Sequence, residues 1–69
     1  MERIPVSSSN IASLGYDAAT QTLQVEFLSG SIYQYFDVPQ TVFEDFKNAG
    51  SKGRYLATQI KGIYRYARV

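Results

Sequence analysis

The sequence predicts a single small α+β domain: a three-stranded antiparallel meander, two short helices and a C-terminal closing strand. Three observations carry that prediction. Apolar and polar residues alternate from Ile11 to Phe36, apolar residues then recur at helical spacing from Val42 to Ile60, and alternation returns at Ile63. Sixty-nine residues without a cysteine make one domain with no disulfide staple and no thiolate metal site. Such a chain buries only about 60% of its unfolded surface, so its ten aromatics, six Tyr and four Phe, must fill most of the core.

Residues 1–9 read as a loosely ordered lead-in, because Pro5 and the run Ser7-Ser8-Ser9 disfavour regular structure. In the first strand Ala12, Leu14 and Tyr16 share one face, with Ile11, Ser13 and Gly15 on the other. Asp17 to Gln21 has turn chemistry, with the Asp17 carboxylate able to accept from the backbone ahead of it. Thr22 to Leu28 is the clearest strand, with Leu23, Val25 and Phe27 on its apolar face. Ser29-Gly30-Ser31 turns the chain into a third strand, Ile32 to Phe36. That strand puts Tyr33 and Tyr35 on one face and Ile32, Gln34 and Phe36 on the other.

Pro39 suits the first turn of a helix in which Val42, Phe43, Phe46 and Ala49 form the apolar stripe and Glu44 and Asp45 face solvent. Asn48 and Gly50 close it. Ser51 caps a second helix built on Tyr55, Leu56 and Ile60, Gly53 leaves room for a close approach in its first turn, and Gly62 ends it. Ile63 to Ala67 is the closing strand.

Charge is split along the chain. Up to Phe46 there are six acids against one base, a net of −5; from Lys47 onward there are six bases and no acid. Two Tyr-x-Tyr pairs, Tyr33/Tyr35 and Tyr64/Tyr66, add rings, the second pair inside the basic segment. Cations interleaved with aromatics hold phosphates while offering faces to bases. The candidate phosphate contacts are therefore Lys52, Arg54, Lys61, Arg65 and Arg68, with Arg54 foremost, since no acid stands near it in sequence. The candidate stacking residues are Tyr33, Tyr35, Tyr64 and Tyr66. Packing competes for the same tyrosines, and solubility and helix-dipole complementation compete for the same cations.

Catalytic chemistry is poorly provided. There is no histidine and no cysteine, the six carboxylates are scattered, and no serine sits in a nucleophile elbow. Gly50-Ser51-Lys52-Gly53 is only a fragment of a phosphate loop. The chain reads as a non-enzymatic module with no metal and no cofactor. No stretch is apolar enough for a membrane span and the N-terminus lacks a secretion-signal layout, so a cytoplasmic protein is expected.

Several segments together resemble the KTSC domain, named for a module at the C-terminus of some lysyl-tRNA synthetases and found also as small bacterial and phage proteins. They are Ser8 to Asp17, Leu23 to Phe27, Gly30 to Tyr35 with its central Tyr-x-Tyr, Val38-Pro39, Ser51-Lys52-Gly53-Arg54-Tyr55 and Ile60-Lys61. The resemblance runs from about Val6 to Tyr66. It implies the family's fold and, through the synthetase association, a link to RNA. It departs from the family where an aromatic and an asparagine follow the Ser-x-Gly segment; here Tyr55-Leu56-Ala57 stands, and Ala57 has no amide to offer a ligand.

The sequence thus favours a module for RNA or single-stranded nucleic acid. The alternatives are a protein that sequesters a small nucleotide, with a pocket formed between subunits of a homo-oligomer, and a protein-interaction or assembly module that pairs acidic and basic segments.

Overall fold

The computed structural model describes residues 2–69. Its five strands, β1 (Arg3–Pro5), β2 (Ile11–Asp17), β3 (Thr22–Phe27), β4 (Ile32–Tyr35) and β5 (Tyr66–Arg68), form one antiparallel sheet in the order β1-β2-β3-β4-β5. Two helical segments, α1 (Gln40–Asn48) and α2 (Lys52–Tyr55), intervene between β4 and β5, and α2 runs on as a five-residue π-helical turn, Leu56–Ile60. The meander is the centre of this sheet, not the whole of it.

The extra strand lies in the expected lead-in. Arg3, Ile4 and Pro5 pair with Gly15, Leu14 and Ser13, and the Val6 N–H donates to the Ala12 carbonyl. Pro5 lacks an N–H, which an edge strand tolerates because one of its sides has no ladder to serve. Met1, also in the expected lead-in, lies outside the described residues.

Strict alternation fails in β2. Ile11 pairs with Phe27 but Ser13 with Glu26, so one extra residue bulges between them. The bulge resets the side-chain phase, and Ile11 and Leu14, expected on opposite faces, are both fully buried. Beyond it the alternation holds: Leu14 and Tyr16 share a face with Val25 and Leu23, which in turn share it with Tyr33 and Tyr35.

The helices cover that face. Phe43 and Phe46 of α1 enter the core with Leu56 and Ile60; a stack of Tyr16 on Phe43 at 4.9 Å joins sheet to helix, and one of Phe46 on Tyr55 at 5.4 Å joins the two helical segments. The opposite face carries Ser13, Gly15, Gln24, Glu26 and Gln34. On it Glu26 accepts from Ser13 Oγ at 2.8 Å and lies 3.6 Å from Arg3.

The turns follow their sequence chemistry. Asp17 Oδ1 accepts from the Ala19 N–H, and Gly30 adopts φ 96°. Ser51 caps α2, its Oγ accepting from the Arg54 N–H at 3.4 Å.

The closing strand begins later than expected. At the end of the π turn the Lys61 N–H reaches the Leu56 carbonyl at 2.8 Å, and the Ile63 and Tyr64 N–H groups both turn back to the Ile60 carbonyl. Residues 61–64 are thereby spent on a turn, with Gly62 at φ 79°. Only from Tyr66, opposite Tyr35, does the chain pair with β4.

Candidate nucleotide-binding cleft

A cleft of about 790 Å³ opens at the β3–β4–β5 end of the helix-covered face. Its floor is aromatic because cross-strand pairing aligns the side chains: Phe27 closes β3, Tyr33 and Tyr35 stand at alternate positions of β4, and Tyr66 faces Tyr35 from β5. Phe27 meets Tyr33 edge-on at 5.7 Å, and the Tyr66 ring lies 5.8 Å from both Tyr33 and Tyr35. The β3–β4 turn (Leu28, Ser29, Ser31) forms one wall. Ser9 and Asn10, before β2, and Lys61 and Gly62, after the π turn, complete the lining.

Exposure divides the rings. Tyr35 is only 2% exposed, Tyr33 is half-buried and Tyr66 is 62% exposed. Burial, and then the neighbouring Tyr33 and Tyr66 hydroxyls, raise the Tyr35 pKa above its ordinary value of 10.0, so Tyr35 is a neutral packing residue at physiological pH. Tyr66 and Tyr33 are the rings a ligand can reach.

Two cations attend the cleft. Lys61 lines it directly. Arg68 stands opposite Tyr33 on β5 and donates through Nη2 to Ser31 Oγ at 3.2 Å; Ser31 is itself a lining residue, so Arg68 sits at the rim.

The other candidates lie elsewhere. Lys52 donates to the Ala49 carbonyl at 3.2 Å, closing the C-terminal end of α1, and Arg54 is exposed on α2; neither lines the cleft. Tyr64 is half-buried against the core. Arg65 pairs with Asp37 at 3.1 Å and rests over the Phe36 ring. The Tyr64/Tyr66 pair is thus divided by the turn, and only Tyr66 joins Tyr33.

Asn10, Phe27 and Ser31 escaped the sequence reading as site residues. Phe27 reads as core by strand alternation, which is half true, since it is half-buried against the core. Asn10 had one available signal, the glycine at position 53. A Cβ there would stand 3.0 Å from Asn10 Oδ1, so Gly53 is where the loop before β2 docks on α2. Ser8 Oγ also donates to Asn10 Oδ1, at 3.2 Å.

Four of the six acids are engaged in structure: Glu26 with Arg3 and Ser13, Asp37 with Arg65, Glu44 with Lys47 at 2.9 Å, and Asp17 in its turn. Among the described residues no three His, Cys, Asp or Glu side chains gather as a metal site, and no helix is long and apolar enough to cross a membrane.

Fold and site define a class: a small antiparallel sheet backed on one face by two helical segments, with an aromatic cleft flanked by cations at the end of that face. The chain belongs to the KTSC domain family, whose model matches residues 7–69. A lysine–tRNA ligase of a Nostoc species is 51% identical over 61 residues, which are 88% of this chain but 11% of the ligase; the chain therefore spans about a tenth of that relative's length. An uncharacterized protein of Stutzerimonas stutzeri is 43% identical over 70 residues, covering 100% of this chain and 99% of that one. The crystal structure of a KTSC domain protein from Yersinia pestis superposes with a TM-score of 0.95 at 40% identity, covering 99% of this chain and 96% of that one.

Proposed function

We propose that the domain is a binding module for single-stranded nucleic acid, RNA above all, and that the aromatic cleft receives a base. The observation that supports this reading most is the convergence of Tyr33, Tyr66, Lys61 and Arg68, from β4, β5 and the end of the π turn, on one cleft of nucleotide size. A base stacks on the exposed Tyr66 and on Tyr33, while Lys61 and Arg68 meet the flanking phosphates. The similar segment in lysine–tRNA ligases favours RNA as the strand, since tRNA is what those relatives are named for.

The test is fluorescence anisotropy with labelled tRNA and single-stranded oligonucleotides at about 50 and 200 mM salt. Binding that weakens with salt, and weakens again in Lys61→Ala and Tyr66→Ala, is the expected result. Unchanged binding in both variants, or none at low salt, would overturn the reading. The same cleft also suits a free mononucleotide. Stoichiometric binding with a rise in melting temperature, and no binding of strands, would favour that second reading.

A further inference from the structure

The sheet has two open edges, and they are not alike. At the β1 edge the Val6 N–H bonds to the Ala12 carbonyl. By the two-residue period of an antiparallel ladder Ile4 also serves β2, and the backbone groups of Arg3 and Pro5 face outward. Pro5 has no N–H to offer there, and an edge short of a donor is a poor template for another strand.

At the β5 edge the Phe36 N–H bonds to the Arg65 carbonyl and the Val69 N–H to the Ile32 carbonyl. Arg65, Ala67 and Val69 therefore spend their backbone groups on β4, and those of Tyr66 and Arg68 point away from the sheet. Two N–H and two C=O groups stand there in line, with no proline and no register shift among them. The arginines of this stretch turn back on their own chain, Arg65 to Asp37 and Arg68 to Ser31, and leave the edge open. Apolar surface gathers at the same place. Of the five large apolar side chains left exposed among the described residues, three, Ile63, Tyr66 and Val69, follow the π turn.

We infer that β5 is an interface between two copies of this chain, which pair antiparallel through it and join their sheets into one. The strand is self-complementary in a single register. With the two-fold axis at Ala67, Tyr66 of each copy exchanges both backbone bonds with Arg68 of the other, four bonds that satisfy every outward group of the strand. The two Ala67 methyl groups meet at the axis. Arg68 faces Tyr66 of the second copy, a cation beside an aromatic ring, and Arg65 faces Val69 of the second copy. No arginine stands opposite an arginine. Sliding one strand by two residues sets Tyr66 against Tyr66 or Arg68 against Arg68, and halves the hydrogen bonds. Neighbouring strands present the same face, so both helical layers lie on one side and the two clefts open side by side on it. Arg68 of the second copy thereby borders the cleft at Tyr66. The pairing does not depend on what the cleft binds.

Three residues a side are few beside the roughly 20–30 of a standard interface, so the association is weak and concentration-dependent. Sedimentation equilibrium of the full chain from about 5 to 500 μM should show a mass rising from 7.8 kDa toward twice that value. Ala67→Lys sets two ammonium groups against each other at the axis, beside two Arg65 side chains, and should weaken association about fivefold or more. Ala67 is exposed, so the circular dichroism of this variant should match that of the parent.

The chain has no cysteine, which lets one introduced thiol report the register. At the axis the two Cα atoms stand about 4.5 Å apart, within disulfide reach, so Ala67→Cys should form a covalent dimer in an oxidising glutathione buffer. Arg68→Cys, whose thiol faces Tyr66 of the second copy, should cross-link at least about tenfold more slowly. A single 7.8 kDa species at every concentration would overturn the pairing and leave the reading of the cleft untouched. A dimer that Ala67→Lys does not weaken would also overturn it, as would Arg68→Cys cross-linking as fast as Ala67→Cys.

Discussion

At the scale of single residues, the tyrosines divide into packing and contact by exposure, and the division is measurable. Burial first, and neighbouring groups second, raise the pKa values of Tyr16, Tyr35 and Tyr55 above 10.0. A raised tyrosine pKa means that the folded state holds its proton more tightly than the unfolded chain does. Stability from these groups is therefore fully present below about pH 10 and falls as pH rises through that value toward the raised ones. Denaturant titrations at pH 9 and above pH 10 should show the loss, with tyrosinate absorbance appearing in step with unfolding. Stability that stays level across that range would contradict the assignment. Tyr66 is a contact residue where those three are packing residues. Tyr66→Ala removes a mostly exposed ring, so folding should lose no more than about 1 kcal/mol, the scale of a cross-strand aromatic pair. Nucleic-acid affinity should fall by about 1–3 kcal/mol. Alternation in the sequence assigned Tyr33 and Tyr35 to one face correctly, because face is a local property of a strand. It could not divide Tyr64 from Tyr66, since that depends on where the last strand begins.

At the scale of elements, caps and turns were readable and phase changes were not. Ser51 was legible as a cap because the signal is a hydroxyl one residue ahead of a helix. Ser51→Ala should cost about 1 kcal/mol, a fall in melting temperature of roughly 4–8 °C for a domain of this size, read by thermal denaturation. The β2 bulge left no such mark: Ile11 and Leu14 are three apart, which strict alternation forbids for one face and a bulge permits. The π turn likewise carries no compositional signature. It nevertheless shapes the cleft, since the chain leaves it at Lys61, and Lys61 and Gly62 of the tight turn that follows join the lining. The edge strand β1 was missed because Pro5 and the serines argue against regular structure locally, while its pairing with β2 comes from a residue stretch ten positions away.

At the scale of the whole molecule, the margin is thin and the charge is sparsely used. A chain of this length has about 3–10 kcal/mol of stability in all. Phe46→Ala, in a fully buried position stacked on Tyr55, should cost about 3–5 kcal/mol and leave the domain largely unfolded at 37 °C by circular dichroism. A folded variant would mean that the core is less dependent on this ring than its burial implies. The acidic and basic segments meet in space at two points, where Arg65 pairs with Asp37 and Lys47 with Glu44. Two cations, Lys61 and Arg68, attend the cleft. Binding to a single strand should therefore show a log–log salt slope of about −1.4, against about −4 if all six bases of the C-terminal segment met phosphates. A slope near −4 would move the interface off the cleft and onto the wider surface that includes Lys52 and Arg54.

The sequence by itself determined the α+β class, the three central strands, the inward residues of the second and third of them, both helical segments and the family. Alternation, helical spacing and capping are written in neighbouring residues, and the rotation of the backbone converts them directly into faces. Only the tertiary structure decided the site. Asn10, Phe27, Tyr33, Lys61 and Tyr66 are drawn from five separate stretches of chain. What brings them together is a bulge, a π turn and the register of β5 against β4, each set by how the layers pack.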